Sequence, residues 1–201
     1  GVLLAALTAI EEGAKSVAVL QKESEAVSQG GTSSGVLLDK SDRQGVMNYL
    51  QGFLKDCGWR ADRGLAEFYC ARSGETIRWM EVRSKEAGFP PYSVSEKMTT
   101  YDDGTKCVVR SNRFGPKPLT NDALIKALAK LAEEKGVEFF YNTPGVQLIL
   151  DDSGKCTGVV GKSADGKYIK FNASKGVILS TGDYQNNTSL VKRYCPDVAD
   201  F

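Results

Sequence analysis

Apolar residues recur at intervals of three and four through several parts of the chain, and this spacing is typical of helices that bury one face. The pattern is clearest over residues 121–135, where Leu124, Leu128 and Leu131 share a face and Asn121 stands at the capping position. Helices are also predicted over residues 2–12, 42–56, 62–82 and 189–194.

The predicted helix over residues 62–82 has a mixed pattern in which large apolar side chains alternate with charged ones. We expect the apolar side chains to form one buried face, because an amphipathic helix packs its apolar stripe against the core. The residues of this predicted face are Leu65, Phe68, Ile77, Trp79 and Met80.

Short apolar runs between the helices predict strands. The run SVAVLQK at 16–22 and the run GVILS at 176–180 are apolar on both faces, which is typical of buried parallel strands. Residues 137–143 predict a third strand, and residues 146–173 alternate as in an antiparallel meander with turns at 152–154 and 165–166. Residues 88–118 are rich in Pro, Gly, Tyr and Ser, so we expect loops and short strands there.

The predicted order of elements indicates an α/β fold. A helix followed by a buried strand is half of a βαβ unit. The first strand of that unit is absent from residues 1–201. We therefore predict a Rossmann-like parallel sheet with helices, plus a small antiparallel β-meander, with its first strand missing.

Composition and charge exclude several classes of function. The 201 residues carry a net charge of +1, which gives no strong attraction to nucleic acid, and no apolar run reaches the ~18 residues of a membrane span. The chain has no His, which excludes a His general base and His metal ligands within it. Its five cysteines are irregularly spaced without a CxxC motif, so we expect reduced thiols and no metal site.

The first 22 residues match the second half of a dinucleotide-binding fingerprint, which reads strand, GxGxxG, helix, strand and an acidic residue. Gly1 would be the last glycine, where the missing side chain lets the helix pack closely on the sheet. Gln21 stands where a carboxylate normally binds the ribose hydroxyls, and its amide can still form a hydrogen bond to a hydroxyl.

Two further segments have compositions suited to binding a phosphorylated ligand. SQGGTSSG, residues 28–35, offers consecutive backbone N–H groups and hydroxyls that can surround an anion, although a surface loop has the same composition. The run VILSTGD places Thr181 at the end of a predicted parallel strand, where ligands of α/β sheets bind.

Taken together, the chain resembles the FAD-binding domain of the fumarate reductase and succinate dehydrogenase flavoprotein superfamily, the FAD-dependent oxidoreductase 2 type. Its members include soluble fumarate reductases, urocanate reductases and 3-ketosteroid dehydrogenases. The resemblance rests on the segments GVLLAALTAIEEGAKSVAVLQK, GGTSSG, LIKALAKLAEEKGVEFFYNT, DDSGKCTGVV and KGVILSTGDY, and it spans essentially the whole chain.

The resemblance implies FAD as the cofactor and assigns residues to it. Gly1 would close the turn at the pyrophosphate, and Gln21 and Lys22 would lie at the adenosine ribose. Gly145 or Val146 would meet the adenine through the backbone. The residues along the pyrophosphate and isoalloxazine would be Gly30, Gly31, Thr32, Ser33 and Gly35. The residues lining the ADP half would be Thr181, Gly182 and Asp183.

Four departures from the family pattern affect these assignments. The first strand and two fingerprint glycines are missing from residues 1–201, so Gly1 cannot complete a phosphate site by itself. Gln21 replaces a Glu, the GGTSSG loop is about two residues shorter than usual, and Asp183 replaces a Gly. A carboxylate facing phosphates would repel them, so we expect Asp183 to turn away or to bind a hydroxyl. Arg110 and Arg113 are candidates for substrate binding, but solvated loop arginines are the more common case.

The resemblance also implies what lies outside residues 1–201. In the family, a capping substrate domain and a later segment that completes the flavin site follow, so we assign no catalytic residue here. We expect a fragment of an FAD-dependent oxidoreductase that moves a hydride to or from a C–C bond of a small unsaturated acid or ketosteroid. The electron donor is left open. We expect a cytoplasmic location, with export left open because the chain begins without Met.

Two other classes remain open from the sequence alone. One is a nicotinamide-binding Rossmann dehydrogenase, although the meander before the last predicted strand suits two-domain flavoproteins better. The other is a truncated, non-catalytic fragment that binds nothing.

Overall fold

The computed structural model describes residues 1–28, 30, 32–115 and 121–198. The helices are α1 (Val2–Glu11), α2 (Arg43–Asp56), α3 (Arg63–Glu86), α4 (Asp122–Glu134) and α5 (Thr188–Tyr194). The strands are β1 (Val17–Leu20), β2 (Ser33–Val36), β3 (Ser93–Thr100), β4 (Lys106–Arg113), β5 (Val137–Phe140), β6 (Gly145–Leu150), β7 (Cys156–Lys162) and β8 (Tyr168–Asn172). All the helices predicted from apolar spacing are confirmed, with ends that differ by a few residues.

A parallel pair of strands, β1 and β5, forms the centre of the first core. Val17 lies opposite Val137 and Leu20 opposite Phe140. Helices α1 and α4 pack on each other and on this pair. The three leucines predicted for one face of α4 are buried in this core together with Leu3 and Leu7 of α1. The α/β prediction is therefore confirmed in its parallel strands and helices.

A second sheet is antiparallel and has the strand order β2–β4–β3. Helix α3 crosses β2 so closely that neither backbone leaves room for a side chain. A Cβ atom at Gly35 would collide with the carbonyl of Ser73, and one at Gly74 would collide with the carbonyl of Val36. The Ser73 hydroxyl also accepts a hydrogen bond from the Val36 N–H at 3.0 Å. The glycine that interrupts the apolar pattern of α3 therefore permits the contact between helix and sheet.

Residues 88–115 form more regular structure than the sequence predicts. β3 and β4 pair over eight residues, from Ser93 opposite Arg113 to Thr100 opposite Lys106. β3 is exposed along almost its whole length, so it lacks the alternation of apolar and polar residues that marks a half-buried strand. The expectation of short strands and loops was therefore wrong for this hairpin.

The predicted meander is confirmed as the sheet β6–β7–β8. Its turns contain Gly154 and Gly166, whose φ angles of 82° and 84° are readily adopted only by glycine. The Asp151 carboxylate accepts hydrogen bonds from the N–H groups of Ser153 and Lys155 in the first turn. The meander packs on the first core where the Phe171 ring meets that of Phe140 edge to face at 4.7 Å.

Two predictions about burial and pairing were wrong. The run at 176–180 is not a strand, because no strand of the described residues pairs with it, and Ile178 and Leu179 are exposed. On α3, Ile77 is buried, but Leu65 is 72% exposed and Phe68 is 66% exposed. Helical spacing identifies side chains that share a face, but it does not show that another element covers them.

The five free cysteines differ in exposure, and Cys156 is intermediate. Cys57 and Cys195 are exposed, whereas Cys70 on α3 and Cys107 on β4 are buried in the core under the second sheet. Burial raises the pKa of both buried thiols. Because the thiolate is the reactive form, both thiols are unreactive in the folded chain.

We expect Gly74→Ala to lower the free energy of unfolding by roughly 2–3 kcal/mol, because the new methyl group must push α3 away from β2. Gly52→Ala is the matched control, since Gly52 lies inside α2 with nothing within 4 Å of the added Cβ. That control is expected to gain about 0.5–1 kcal/mol from helix propensity. Urea unfolding of both variants checks the prediction, and equal shifts would contradict it.

Candidate functional site

The start of α1 lies against the segment that contains Thr181. A Cβ atom at Gly1 would come within 3.2 Å of the Ser180 hydroxyl oxygen, so these two parts of the chain are in contact. The first turn of α1 contains no acidic residue. Its unpaired N–H groups and positive dipole end therefore remain available to an anion.

Gln21 directly follows β1 and extends the pairing with β5. Its N–H donates to the Phe140 carbonyl at 3.0 Å, and its carbonyl accepts from the Thr143 N–H at 2.9 Å. The side-chain Oε1 accepts from the Glu23 N–H at 3.3 Å, which leaves the amide Nε2 as a donor. Lys22 is exposed beside Glu23, with 3.6 Å between Nζ and Oε1.

A small hollow connects Gln21 with the first turn of α1. It has a volume of about 30 Å³. It is lined by Val2, Leu3, Val19, Gln21, Ala26, Val27, Ile125, Phe139 and Tyr141. The end of β1 and the start of α1 therefore open onto the same space, as they do in dinucleotide-binding folds.

Gly145 and Val146 lie near Gln21 in space. The Thr143 N–H donates to the Gln21 carbonyl, and β6 begins two residues after Thr143. Gly145 lies opposite Gly161 and Gln147 lies opposite Val160, so Val146 is an extra residue in a β-bulge. A bulged residue does not join the regular ladder, and its backbone groups can bind a ligand instead. This geometry suits the predicted backbone contact to adenine, which stays a prediction.

The predicted loop over residues 28–35 divides into two parts. Ser28 and Gly30 lie at the start of α4, where the Gly30 carbonyl accepts from the Asn121 N–H at 3.2 Å. Thr32 is exposed, and Gly31 lies outside the described residues. Ser33 and Gly35 belong to β2, so the prediction that they form a loop was wrong.

Gly35 therefore has a packing role that the sequence did not reveal. It is buried under α3, and its missing Cβ is required by the helix contact described above. Its predicted position near the flavin ring stays a prediction.

Asp183 does not present its carboxylate freely. Its Oδ1 accepts a hydrogen bond from the Gln185 N–H at 2.9 Å, which is the geometry of an Asx turn. The side chain is thus engaged with its own backbone, and its orientation relative to phosphates stays a prediction. Thr181 and Gly182, immediately before it, are exposed.

The first turn of α4 contributes contacts that the sequence analysis missed. Asn121 precedes the helix as predicted, but its side chain makes no capping hydrogen bond. The side chain is 8% exposed, and its Oδ1 has no hydrogen-bond partner in the described parts of the chain. Asp122 Oδ1 lies 3.4 Å from the Ser28 N–H nitrogen. In the sequence, Asn121 and Asp122 ahead of an amphipathic helix are typical of a helix cap. For this reason their contacts with the distant residues Ser28 and Gly30 were not predicted.

The Arg110 guanidinium forms hydrogen bonds with other side chains and is not a solvated loop arginine. Its Nε and Nη2 donate to the two carboxylate oxygens of Glu81 at 2.6 and 3.0 Å, and its Nη1 donates to Glu96 at 2.8 Å. Asn112 Nδ2 also donates to Glu81, at 2.6 Å. Arg110 thus ties α3 to β3 and β4, which gives it a structural role.

The charge state of this cluster depends on pH. Burial alone would raise the pKa of Glu81, but hydrogen bonds from Arg110 and Asn112 outweigh that effect and lower it. Hydrogen bonds from Lys40 and Arg110 lower the pKa of Glu96. Both carboxylates are therefore ionised at neutral pH.

Among the described residues, no group of His, Cys, Asp and Glu side chains could hold a metal ion. Over the same residues, no helix is both long enough and apolar enough to cross a membrane.

The fold and this cluster of segments define a nucleotide-binding α/β domain. The FAD binding domain family matches residues 1–201, and the chain belongs to that family. Its cofactor is therefore FAD, and the comparisons favour FAD over a nicotinamide cofactor.

Known proteins from several organisms are similar to this chain. NADH:acrylate oxidoreductase of Vibrio harveyi is 25% identical over 165 residues, which is 79% of this chain and 15% of that protein. Probable fumarate reductase Ifc3 of Shewanella frigidimarina (strain NCIMB 400) is 26% identical over 178 residues, 87% of this chain and 28% of that protein. The chain thus spans well under a third of the length of these relatives.

A solved structure supports the fold. The 3-ketosteroid-Δ4-(5α)-dehydrogenase of Rhodococcus jostii RHA1, in complex with 4-androstene-3,17-dione, superposes with a TM-score of 0.68 at 22% identity. The match covers 96% of this chain and 46% of that one.

We expect Arg110→Met to lower the free energy of unfolding at pH 7 by roughly 1–3 kcal/mol, because Glu81 loses its charged donor. A carboxylate with a lowered folded-state pKa stabilises the fold above its unfolded pKa, about 4.3, and this stabilisation disappears as pH falls through the folded value. The difference between wild type and variant should therefore shrink below about pH 4. Urea unfolding at pH 7 and pH 3.5 measures it.

Arg113→Met is the control for this experiment, since Arg113 is exposed at the end of the same strand. Its effect should stay within about 0.5 kcal/mol at both pH values. A difference for Arg110→Met that is equally large at both pH values would show that the cluster does not respond to pH.

Proposed function

We propose that this chain is the FAD-binding part of an oxidoreductase that transfers a hydride to or from a C–C bond. One observation carries the proposal beyond family membership. Four segments that are far apart in the sequence meet at the carboxyl edge of the parallel pair β1–β5. They are the start of α1, Gln21, the bulge at Val146 and the segment after Ser180.

The residues at this edge suit FAD in charge and in space. The absence of a Cβ at Gly1 keeps the start of α1 close to Ser180, and the first turn of α1 adds no negative charge. The one carboxylate in the segment 181–183 is already engaged with the Gln185 N–H. A pyrophosphate at this helix start would therefore meet N–H donors, and the Asp183 carboxylate would be held by its own turn.

We assign the residues to parts of the cofactor on this basis. The first turn of α1 would hold the pyrophosphate, and Gln21 and Lys22 the adenosine ribose. The backbone at Gly145 or Val146 would hold the adenine, and Thr181 and Gly182 would line the ADP half. The loop at Gly30, Gly31, Thr32 and Ser33 would lie along the pyrophosphate and isoalloxazine. Bound FAD supplies the capacity to accept or donate a hydride, and the protein supplies its position.

The substrate class we propose is an alkene conjugated to a carboxylate, as in fumarate. Acrylate and fumarate, which appear in the names of two relatives, both belong to that class. A ketosteroid is the second candidate, because the chain shares its fold with a ketosteroid dehydrogenase. A capping domain and a later segment of the whole protein would supply the substrate-binding and catalytic residues. We also propose a cytoplasmic location. The free cysteines support it, because thiols stay reduced in the cytosol.

The test of cofactor and reaction uses the full protein that carries this domain, stripped of flavin. Titration with FAD should quench flavin fluorescence with a saturable curve, whereas NADH should show no comparable binding to this domain. With FAD bound, reduced viologen should be oxidised when fumarate or acrylate is added. Dehydrogenation of a ketosteroid with an artificial acceptor would move the substrate to the second candidate. Failure to bind FAD would remove the proposed function.

We expect Gln21→Glu to tighten FAD binding about fivefold, because a carboxylate forms a charge-assisted hydrogen bond with a ribose hydroxyl that is worth roughly 1 kcal/mol more. Gln21→Leu should weaken binding by a similar factor. The control is Glu12→Gln, which changes an exposed charge at the opposite end of α1. Fluorescence titration gives the dissociation constants, and identical values for all three variants would contradict the assignment of Gln21 to the ribose.

A further inference from the structure

We propose that the first turn of α4 is a latch that positions the flavin loop, with Asn121, Asp122 and Lys126 as its positioning residues. This inference rests on the proposed function, since the loop matters only if it meets FAD. The latch joins α4 to Glu25, Ser28 and Gly30, which precede Thr32 in the chain.

The first part of the latch is an ion pair between helix and loop. Lys126 Nζ lies 2.9 Å from Glu25 Oε1 and 3.3 Å from Asp122 Oδ2. Hydrogen bonds to Glu25 and then to Asp122 raise the pKa of Lys126. Lys126 therefore stays charged at neutral pH and links Glu25 to the helix, although each partner is partly exposed and the pair alone is weak.

The second part of the latch consists of hydrogen bonds to the loop backbone. The Asn121 N–H donates to the Gly30 carbonyl at 3.2 Å, and Asp122 Oδ1 accepts from the Ser28 N–H at the long distance of 3.4 Å. The Ser28 hydroxyl in turn accepts from the Gly30 N–H at 3.2 Å. The Ser28 N–H and the Gly30 carbonyl are thus both bonded to the first turn of α4.

The third part of the latch is a steric limit on residue 30. A Cβ atom at Gly30 would lie 3.1 Å from Asn121 Nδ2, so a side chain there would press on a buried amide. The Asn121 side chain is more than nine-tenths buried, and it cannot move aside without disturbing the start of α4. The loop therefore approaches the helix more closely at Gly30 than a larger residue would permit.

The other end of the loop is held independently. Ser33 pairs with Asn112 in the second sheet, and Gly35 lies under α3. The loop is therefore fixed at both ends, by α4 before Gly30 and by the second sheet from Ser33 onward. A cofactor that binds at Gly30 and Ser33 would meet backbone that other elements already hold in place, and preorganisation strengthens binding because less ordering is needed.

The experiment compares a latch variant with a matched variant on the same helix. Asp122→Ala/Lys126→Met removes the side-chain contacts to Ser28 and Glu25. Lys130→Met/Glu134→Ala removes an exposed pair at the same spacing, 4.0 Å apart, on the part of α4 away from the loop. Each is made in the full protein, and the dissociation constant for FAD and the melting temperature are measured for both.

We expect the latch variant to bind FAD about tenfold more weakly than wild type, and the matched variant to bind within twofold, at similar melting temperatures. Asp122→Asn should recover part of the loss that Asp122→Ala shows, because it keeps an acceptor oxygen for the Ser28 N–H. In cofactor-free protein, amide exchange at Ser28 and Gly30 should be faster in the latch variant. A purely structural role would lower the melting temperature without this local change.

The outcomes separate this proposal from the proposed function. If wild type and latch variant bind FAD equally and exchange Ser28 and Gly30 amides equally, the latch is overturned while FAD binding stands. If weaker FAD binding follows the melting temperature in both double variants, the latch is likewise overturned. If wild type does not bind FAD, the proposed function fails, and the latch fails with it.

Discussion

The backbone pairing between β1 and β5 determines where the candidate site lies. The two strands run in the same direction, so the residues that follow them emerge at one edge of the sheet. The pairing continues past both strands through the hydrogen bonds of Gln21 with Phe140 and Thr143. This continuation carries Gln21 and the bulge at Val146 to neighbouring positions, although 125 residues separate them in the sequence. Without the parallel pair, the segments would have no common edge.

Glycine serves two different purposes in this chain, and only one of them is visible in the sequence. Gly154 and Gly166 lie in tight turns, and the flanking Asp, Ser and Lys residues indicate these turns in the sequence. Gly35 and Gly74 instead permit two backbones to touch across the helix–sheet contact. The partner of such a glycine is distant in the sequence, so its role can be seen only when the fold is known. This is why Gly35 was assigned to a ligand loop while it also serves the packing of α3.

Local patterns predicted the five α-helices of the described residues, the two strands β1 and β5 and the meander, because apolar spacing and turn residues are local properties, but the pairing of β1 with β5 was not predicted. They failed where the outcome depends on a distant partner. The apolar run at 176–180 has strand composition, but a strand also requires a hydrogen-bonding neighbour. The polar strand β3 forms because β4 pairs with it over its full length. For the site, the candidate residues came from the resemblance to the family. The contacts of Asn121 and Asp122 with Gly30 and Ser28 join distant parts of the sequence, so they are visible only in the folded chain.

The two buried thiols give the protein an internal reporter of its own opening. Cys70 lies on α3 and Cys107 on β4, so both are shielded by the packing of helices on the second sheet. A thiol-specific reagent reaches them only when that packing opens, while Cys57 and Cys195 react from the surface at once. The rate of the slow labelling phase therefore reports how often α2 and α3 separate from the sheet, and no cysteine has to be introduced for the measurement.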